Sequence, residues 1–164
     1  MTAVSKIQRL LTPPVRAARL ISQDLSTIPA AGASAEALRS LESKLQRPLS
    51  AQHRDLLMTW NGLDLDVIRI FGVPPVVKGI YDLLEWQELV PEGEGNIAFG
   101  GDPSGFLYFE SKSGSVLSSD HDGGETKVVA SCINEFIDEV VFGARGDSFL
   151  GEEWLNELRA LGLS

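Results

Sequence analysis

The chain has 164 residues, of which 43% are hydrophobic, so one domain can bury a core unaided. No apolar run approaches the roughly 20 residues that span a bilayer, and we therefore expect no membrane partner. A single cysteine, Cys132, excludes an internal disulfide and favours a reducing, cytoplasmic location.

Charge is unevenly distributed along the chain. Residues 1–80 carry ten Lys and Arg against six Asp and Glu, whereas residues 81–164 carry four against seventeen. The net charge of -9 therefore originates in the second half, whose anionic field repels nucleic-acid phosphates and attracts basic surfaces. This pattern predicts no nucleic-acid partner and is compatible with a basic protein partner, although acidity also serves solubility alone.

Residues 1–32 are predicted to form a basic helical arm and a linker, and residues 33–164 a single domain. Pro13 and Pro14 interrupt the arm, so at most two short helices fit, over residues 4–11 and 15–25. An arginine-bearing start without early acids is also typical of a mitochondrial transit peptide, which we favour less than a basic arm.

Three helices are predicted between residues 34 and 90. Ser34 and Ser50 begin the first two, because a serine side chain accepts hydrogen bonds from the first free backbone N–H groups. The third covers residues 80–90, and a short strand is expected at residues 67–71. The residues of the first two helices that are expected to face the core are Leu38, Leu41, Leu45, Leu56, Leu57 and Trp60.

Four strands follow, reading NIAFGG, GFLYFE, SVLSSD and TKVVA. Turn-forming Gly, Asp, Asn and Ser residues separate them, and Gly100 and Gly101 are expected to adopt φ values that other residues avoid. A helix then runs to Gly143 as its C-cap, and a last amphipathic helix lies around residues 154–161. We therefore predict an α+β fold with an antiparallel, mixed-order sheet of about four to six strands flanked by helices.

The loop from Asp120 to Glu125 is the segment that most resembles a site. Asp120, Asp122 and Glu125 lie beside two glycines, and these carboxylates could surround a hard cation. The loop is too short for an EF-hand, and a hairpin turn accounts for the same residues. We therefore predict no metal and no cofactor. A metal- or ligand-binding function of this loop is kept as an alternative, after the two functions given at the end of this section.

No catalytic centre is predicted. His53 is expected to be a solvated surface residue and His121 a turn residue, since neither has a nucleophile near it in the sequence. The glycine-rich stretch 99–105 lacks the Lys and Ser or Thr of a phosphate loop. Cys132 is expected to be a small buried hydrophobe. We therefore predict that the protein is not an enzyme.

The order of motifs carries a further signal. The pattern begins with a leucine-bearing helix, a proline, a second helix ending in Asn-Gly and a strand. It continues with a glycine-rich turn, a hairpin, an Asp-His strand end and a Phe-bearing helix. The residues that carry the pattern are Leu41, Glu42, Leu45, Pro48, Leu49, Trp60, Asn61, Gly62, Ile97, Phe99, Gly100, Gly105, Tyr108, Phe109, Gly114, Val116, Asp120, His121, Ser131, Phe136 and Ile137. Over residues 35–142 this pattern resembles the SUKH superfamily, which groups bacterial toxin-immunity proteins with fungal regulators of cell-wall synthesis. The basic arm is longer than the family core requires, and residues 49–53 lack the usual proline and tyrosine.

The resemblance implies a non-enzymatic, cytoplasmic immunity protein that binds a cognate toxin, often directed at nucleic acid, and blocks it. Carboxylates of the acidic half would suit the basic cleft of such a toxin. We predict partner contacts at Asp120, Asp122 and Glu125, with Asp102 and Glu110 as further candidates. Trp86 and Tyr108 are possible apolar anchors, although each is also typical of a core. The alternative is a regulatory or scaffolding module without a toxin, and the oligomeric state stays open.

Overall fold

The computed structural model describes residues 2–12, 31–91, 95–120 and 122–164. The helices are α1 (Ala3–Leu10), α2 (Ala35–Leu45), α3 (Ala51–Thr59), α4 (Leu83–Gln87), α5 (Ile133–Glu135), α6 (Asp147–Leu150) and α7 (Glu152–Ala160). The strands are β1 (Leu63–Asp64), β2 (Arg69–Ile70), β3 (Ile97–Gly101), β4 (Phe106–Glu110), β5 (Val116–Asp120) and β6 (Lys127–Ala130). A π-helical segment (Phe136–Val141) continues α5, and a 3₁₀ turn (Ala144–Gly146) leads into α6.

The six strands form one antiparallel sheet in which each strand pairs with the next along the chain. The order is therefore β1-β2-β3-β4-β5-β6 and not the mixed order that we expected. The predicted α+β class and the antiparallel pairing are confirmed, and the six strands of the described residues agree with the expected number. Short connections between β3, β4, β5 and β6 account for the sequential order, since strands joined by tight turns pair with each other.

Each face of the sheet is covered by a separate apolar cluster. In β4, Tyr108 belongs to one cluster, and its neighbours Leu107 and Phe109 belong to the other. This alternation follows from the period of two along a strand. The Tyr108 face is covered by α1, α5 with its π-helical extension, and α7. The opposite face is covered by α2 and α4, while α3 contributes to both clusters.

The predicted helix starts are confirmed. The Ser34 side chain accepts a hydrogen bond from the backbone N–H of Ala37, and Ser50 accepts one from His53, each at 3.1 Å. The helix of the predicted arm, α1, packs onto the Tyr108 face through Ala3, Ile7 and Leu10. Residues 15–25, where a second arm helix was expected, lie outside the described residues.

Several local expectations were wrong. The strand at residues 67–71 is limited to β2, the two-residue β1 was missed, and the third helix covers only α4. Gly100 and Gly101 do not have positive φ. A Cβ at Gly100 would lie 2.5 Å from the Arg69 carbonyl oxygen, so glycine is required for close strand approach at a register shift.

The helix end also differs from the expected cap. Gly143 has an extended backbone (φ -117°, ψ 179°) instead of a left-handed cap. A Cβ there would meet the backbone of Asp138 and Glu139 at 2.7 Å, so the requirement at this position is steric. Cys132 is half-buried and caps α5, where its Sγ accepts a hydrogen bond from the Glu135 N–H at 3.5 Å. Within the described ranges, every helix is too short or too polar to cross a membrane.

Candidate functional site

One end of the sheet collects most of the residues predicted to contact a partner. Because β3 and β5 run in the same direction, the turn after β3 (residues 102–105) and the residues described after β5 (122–126) lie at the same end. Phe106 at the start of β4 pairs with Asp120 at the end of β5. Four of the five predicted residues belong to this end, namely Asp102, Asp120, Asp122 and Glu125.

Asp102 organises the first turn. Its Oδ1 accepts hydrogen bonds from the backbone N–H groups of Ser104 (2.9 Å) and Phe106 (3.2 Å). Its Oδ2 accepts a hydrogen bond from the Tyr108 hydroxyl at 2.8 Å. Burial raises the pKa of Tyr108 well above its ordinary value, and the charge and hydrogen bond of Asp102 raise it further. The Asp102 carboxylate therefore has a structural role in the turn.

Asp120 shapes the second turn in a similar way. Its Oδ1 accepts a hydrogen bond from the Asp122 N–H at 3.0 Å, and its carbonyl accepts one from the Gly123 N–H at 3.2 Å. Gly123 has φ +84°, which glycine adopts without strain. Asp120 is half-buried, whereas Asp122 and Glu125 are exposed. The exposed acids of this end are therefore Asp122 and Glu125. We call these two residues and Asp120 the acidic loop.

Three aromatic side chains, Phe71, Tyr81 and Trp86, lie beside the acidic loop, and we call them the aromatic wall. The rings of Phe71 and Trp86 stack at 5.1 Å between centroids, and Tyr81 contacts Trp86 at 5.4 Å. The Arg69 guanidinium lies 5.2 Å from the Tyr81 ring centroid and 3.5 Å from an Asp64 carboxylate oxygen. Aromatic pairs at these separations are more favourable than their buried area alone implies, so the wall is a well-packed surface.

Polar contacts fix the wall to the sheet. Asp82 caps α4 by accepting a hydrogen bond from the Leu84 N–H at 2.8 Å. The Gln87 side chain donates to the Asn96 carbonyl and accepts from the Ala98 N–H, both at 2.8 Å. These bonds join α4 to the start of β3 and hold Trp86 over the sheet.

Between the aromatic wall and the two turns lies a groove with a volume of about 830 Å³. Asp102 and Asp120 line it, together with Trp86, Leu89 and Phe106. We call this cavity the aromatic groove. A second groove of about 450 Å³ lies next to it, and Glu125, Lys127 and Phe149 line that groove along with Asp120 and Phe106. Four of the predicted acids therefore lie in or beside two concave surfaces.

Sequence reasoning missed most of the apolar lining. Trp86 was considered as an anchor and is half-buried in the aromatic groove, whereas Tyr108 is fully buried. Leu89 and Phe106 were not singled out, although they are 64% and 39% exposed. Their exposure could have been predicted from their position beside turn-forming residues, because a large apolar side chain next to a turn is often far from the core.

Glu110 does not lie at this end and is not exposed. It is at the far end of β4, only 2% exposed, with Oε2 3.4 Å from Nδ1 of His53. His53 is 0% exposed and packs edge-on against Phe99, so the expectation of a surface histidine was wrong. Because a buried carboxylate cannot reach a partner, we exclude Glu110 from the candidate surface.

The His53–Glu110 pair is part of a buried polar cluster. Neither ring nitrogen of His53 forms a hydrogen bond with the described residues, and the same holds for Glu110 Oε2. Burial lowers the pKa of Arg47, while the charge of Glu110 acts in the opposite direction. Arg47 Nη1 would lie 2.4 Å from a Cβ at Gly95, so glycine leaves room for the guanidinium.

The metal-binding alternative receives no geometric support from the part of the chain that the structure describes. No group of three His, Cys, Asp or Glu side chains there is arranged to hold a metal ion. His121, which was expected to be a turn residue of this loop, lies outside the described residues.

The fold and its sheet end thus define an α+β domain with an acidic loop beside an aromatic groove. The SMI1 / KNR4 family (SUKH-1) matches residues 32–139, which is more than half of the 164 residues. The chain therefore belongs to this family, and the resemblance found over residues 35–142 is confirmed. No curated protein matches the chain closely enough to count as a relative.

Proposed function

We propose that the protein is an immunity protein that binds a cognate toxin domain and neutralises it by direct contact. Membership of the SMI1 / KNR4 family (SUKH-1) is compatible with this role. The observation that carries the proposal is the position of the acidic loop, which lies on a concave, partly apolar end of the sheet.

The proposed toxin acts on nucleic acid. A nuclease or similar toxin presents a basic cleft, and exposed carboxylates occupy such a cleft in place of phosphates. Asp122 and Glu125 are the exposed members of the acidic loop and would provide this charge. Asp120 would position the loop, and Asp102 would hold the neighbouring turn.

The same geometry favours a binding role over catalysis. In the described chain, His53 is enclosed against Glu110 and Phe99, away from the turns. The Sγ of Cys132 accepts a hydrogen bond from the Glu135 N–H, so this side chain serves as a helix cap. We therefore propose a non-enzymatic protein that acts through its surface. We propose a cytoplasmic location on the separate ground that its single cysteine favours a reducing compartment.

Capture of the partner from the source cells tests the proposal. The tagged protein is expected to retain one basic protein in stoichiometric amount, which arrests growth when it is expressed alone. Co-expression of the present protein should restore growth. Several retained host proteins without toxicity would contradict the proposal and support the regulatory module instead.

A further inference from the structure

The aromatic groove exposes apolar side chains that the fold does not bury. Among the described residues, seven large hydrophobic side chains are exposed, and three of them, Tyr81, Leu89 and Phe106, line this one groove. Single exposed hydrophobic residues are ordinary, whereas a cluster in a concavity is typical of an interaction site.

Glycines of β3 and of the two turns line part of the groove. Gly101, Gly105, Gly123 and Gly124 all line it. A Cβ at Gly123 would meet nothing within 4 Å, so no side chain fills that space. The volume of about 830 Å³ falls within the range of roughly 300–1,000 Å³ typical of ligand sites. It is large enough for several side chains of an extended segment.

The charge around the groove defines the chemistry of its occupant. Among the described lining residues, Asp102 and Asp120 are the acids and Arg69 is the single base. The Arg69 guanidinium already faces Asp64 and the Tyr81 ring. Beyond the groove, the two exposed carboxylates of Asp122 and Glu125 outnumber the exposed ammonium of Lys127 and extend the negative surface. A segment with Lys or Arg next to its apolar residue complements this arrangement.

We propose that the aromatic groove binds an extended peptide segment of the protein partner. The segment inserts a large apolar side chain between Trp86 and Phe106 and places Lys or Arg side chains against the acidic loop. This inference rests on the proposed function only in requiring that the chain binds a protein. The proposal adds a buried apolar anchor to the charged contacts. Buried anchors contribute more to the free energy of binding than peripheral charges do.

The test uses random twelve-residue peptides displayed on phage and selected against the full chain. Enriched peptides are expected to share one large apolar residue with Lys or Arg close by. A synthetic copy of the enriched sequence should bind the unaltered protein and lose about tenfold or more in affinity for the Leu89→Ser, Phe106→Ser double variant. Enrichment of acidic peptides, or of none, would overturn the proposal.

A matched control separates the groove from apolar surface in general. Val128 and Met58 are 66% and 50% exposed and line neither groove, so the Val128→Ser, Met58→Ser variant should change affinity by less than about twofold. Equal losses in both variants would contradict a specific groove. A dimer of the unaltered chain that the Leu89→Ser, Phe106→Ser variant abolishes would assign the groove to a second copy and overturn the proposal.

The outcome is distinguishable from failure of the proposed function. The selection requires no toxin, so specific peptide binding at the groove stands even if the captured partner is not toxic. Conversely, neutralisation of a toxin that is unchanged in the Leu89→Ser, Phe106→Ser variant would retain the immunity function and overturn the groove as its anchor site.

Discussion

At the residue scale, Asp102 is a carboxylate with a structural role that its sequence position did not reveal. We predicted a partner contact from its charge and its place in a turn. In the fold, one oxygen accepts two backbone N–H groups and the other accepts the Tyr108 hydroxyl. The Tyr108 bond could not be predicted, because it depends on β3 and β4 pairing with a register shift between Ala98 and Gly100.

Tyr108 gives the fold a dependence on alkaline pH. Its pKa is raised in the folded state, mainly by burial and then by Asp102, so the unfolded chain loses the proton at a lower pH. The stabilisation is complete below the ordinary tyrosine pKa of about 10 and falls as the pH rises above it. Tyr108→Phe removes this dependence along with the hydrogen bond.

We expect Tyr108→Phe to be less stable than the unaltered chain by about 1–2 kcal/mol near neutral pH. The difference should shrink between about pH 9 and pH 11, where only the unaltered chain carries the Tyr108 titration. Urea unfolding of both proteins across this range measures it. A difference that stays constant over the whole range would contradict the account.

His53 and Glu110 are both buried, against expectation. His53 was expected at the surface because no nucleophile lies near it in sequence, and Glu110 was chosen as an acid of the acidic half. The packing of α3 against the sheet buries both. Local sequence patterns do not indicate which strand residue a helix residue will face. We expect the pair to be energetically coupled, because removing one partner leaves the other buried without compensation.

A double-mutant cycle measures this coupling. His53→Leu and Glu110→Leu are each expected to destabilise the protein, and the double variant should be more stable than the sum of the two losses implies. The expected coupling is about 1–3 kcal/mol in unfolding free energy. Simple additivity would show that the 3.4 Å contact between Nδ1 and Oε2 has no energetic consequence.

At the element scale, the part of the fold with strong turn signals was predictable. β3 to β6 and the capped helices α2 and α3 follow from strand-forming runs, glycine-rich turns and serine caps. β1 and β2 were missed or overextended because a two-residue strand has no periodicity to read. The π-helical segment after α5 lies within the predicted helix and buries Phe136, Ile137, Val140 and Val141.

Gly100 supports the pairing of β2 with β3, and its neighbour provides the control. A Cβ at Gly100 would lie 2.5 Å from the Arg69 carbonyl oxygen, whereas the nearest atom to a Cβ at Gly101 is at 3.4 Å. We expect Gly100→Ala to destabilise the fold by about 2–4 kcal/mol, because backbone must move, and Gly101→Ala by less than about 1 kcal/mol. Thermal and urea unfolding of both variants test this, and similar losses would refute the steric explanation.

At the scale of the whole molecule, the sequence predicted the acidic loop but not the groove beside it. The charge imbalance between residues 1–80 and 81–164 is visible without a structure. The groove is assembled from side chains such as Phe71, Trp86 and Phe106, which come from three separate segments. Only the sequential sheet and the position of α4 bring them together, and neither follows from local patterns.

The central claim is that the acidic loop binds a basic toxin. The double variant Asp122→Lys, Glu125→Lys reverses the two exposed charges and leaves Asp120, which shapes the turn, in place. Its control is Asp55→Lys, Glu139→Lys, which changes the net charge equally at exposed residues that line neither groove.

The decisive measurement is the association rate of each variant with the toxin captured from the source cells, at low and physiological salt. We expect the loop variant to associate about tenfold or more slowly at low salt and to lose most of its salt dependence, because steering by the loop is removed. The control should change much less. Equal rates for the loop variant, the control and the unaltered protein would contradict the claim.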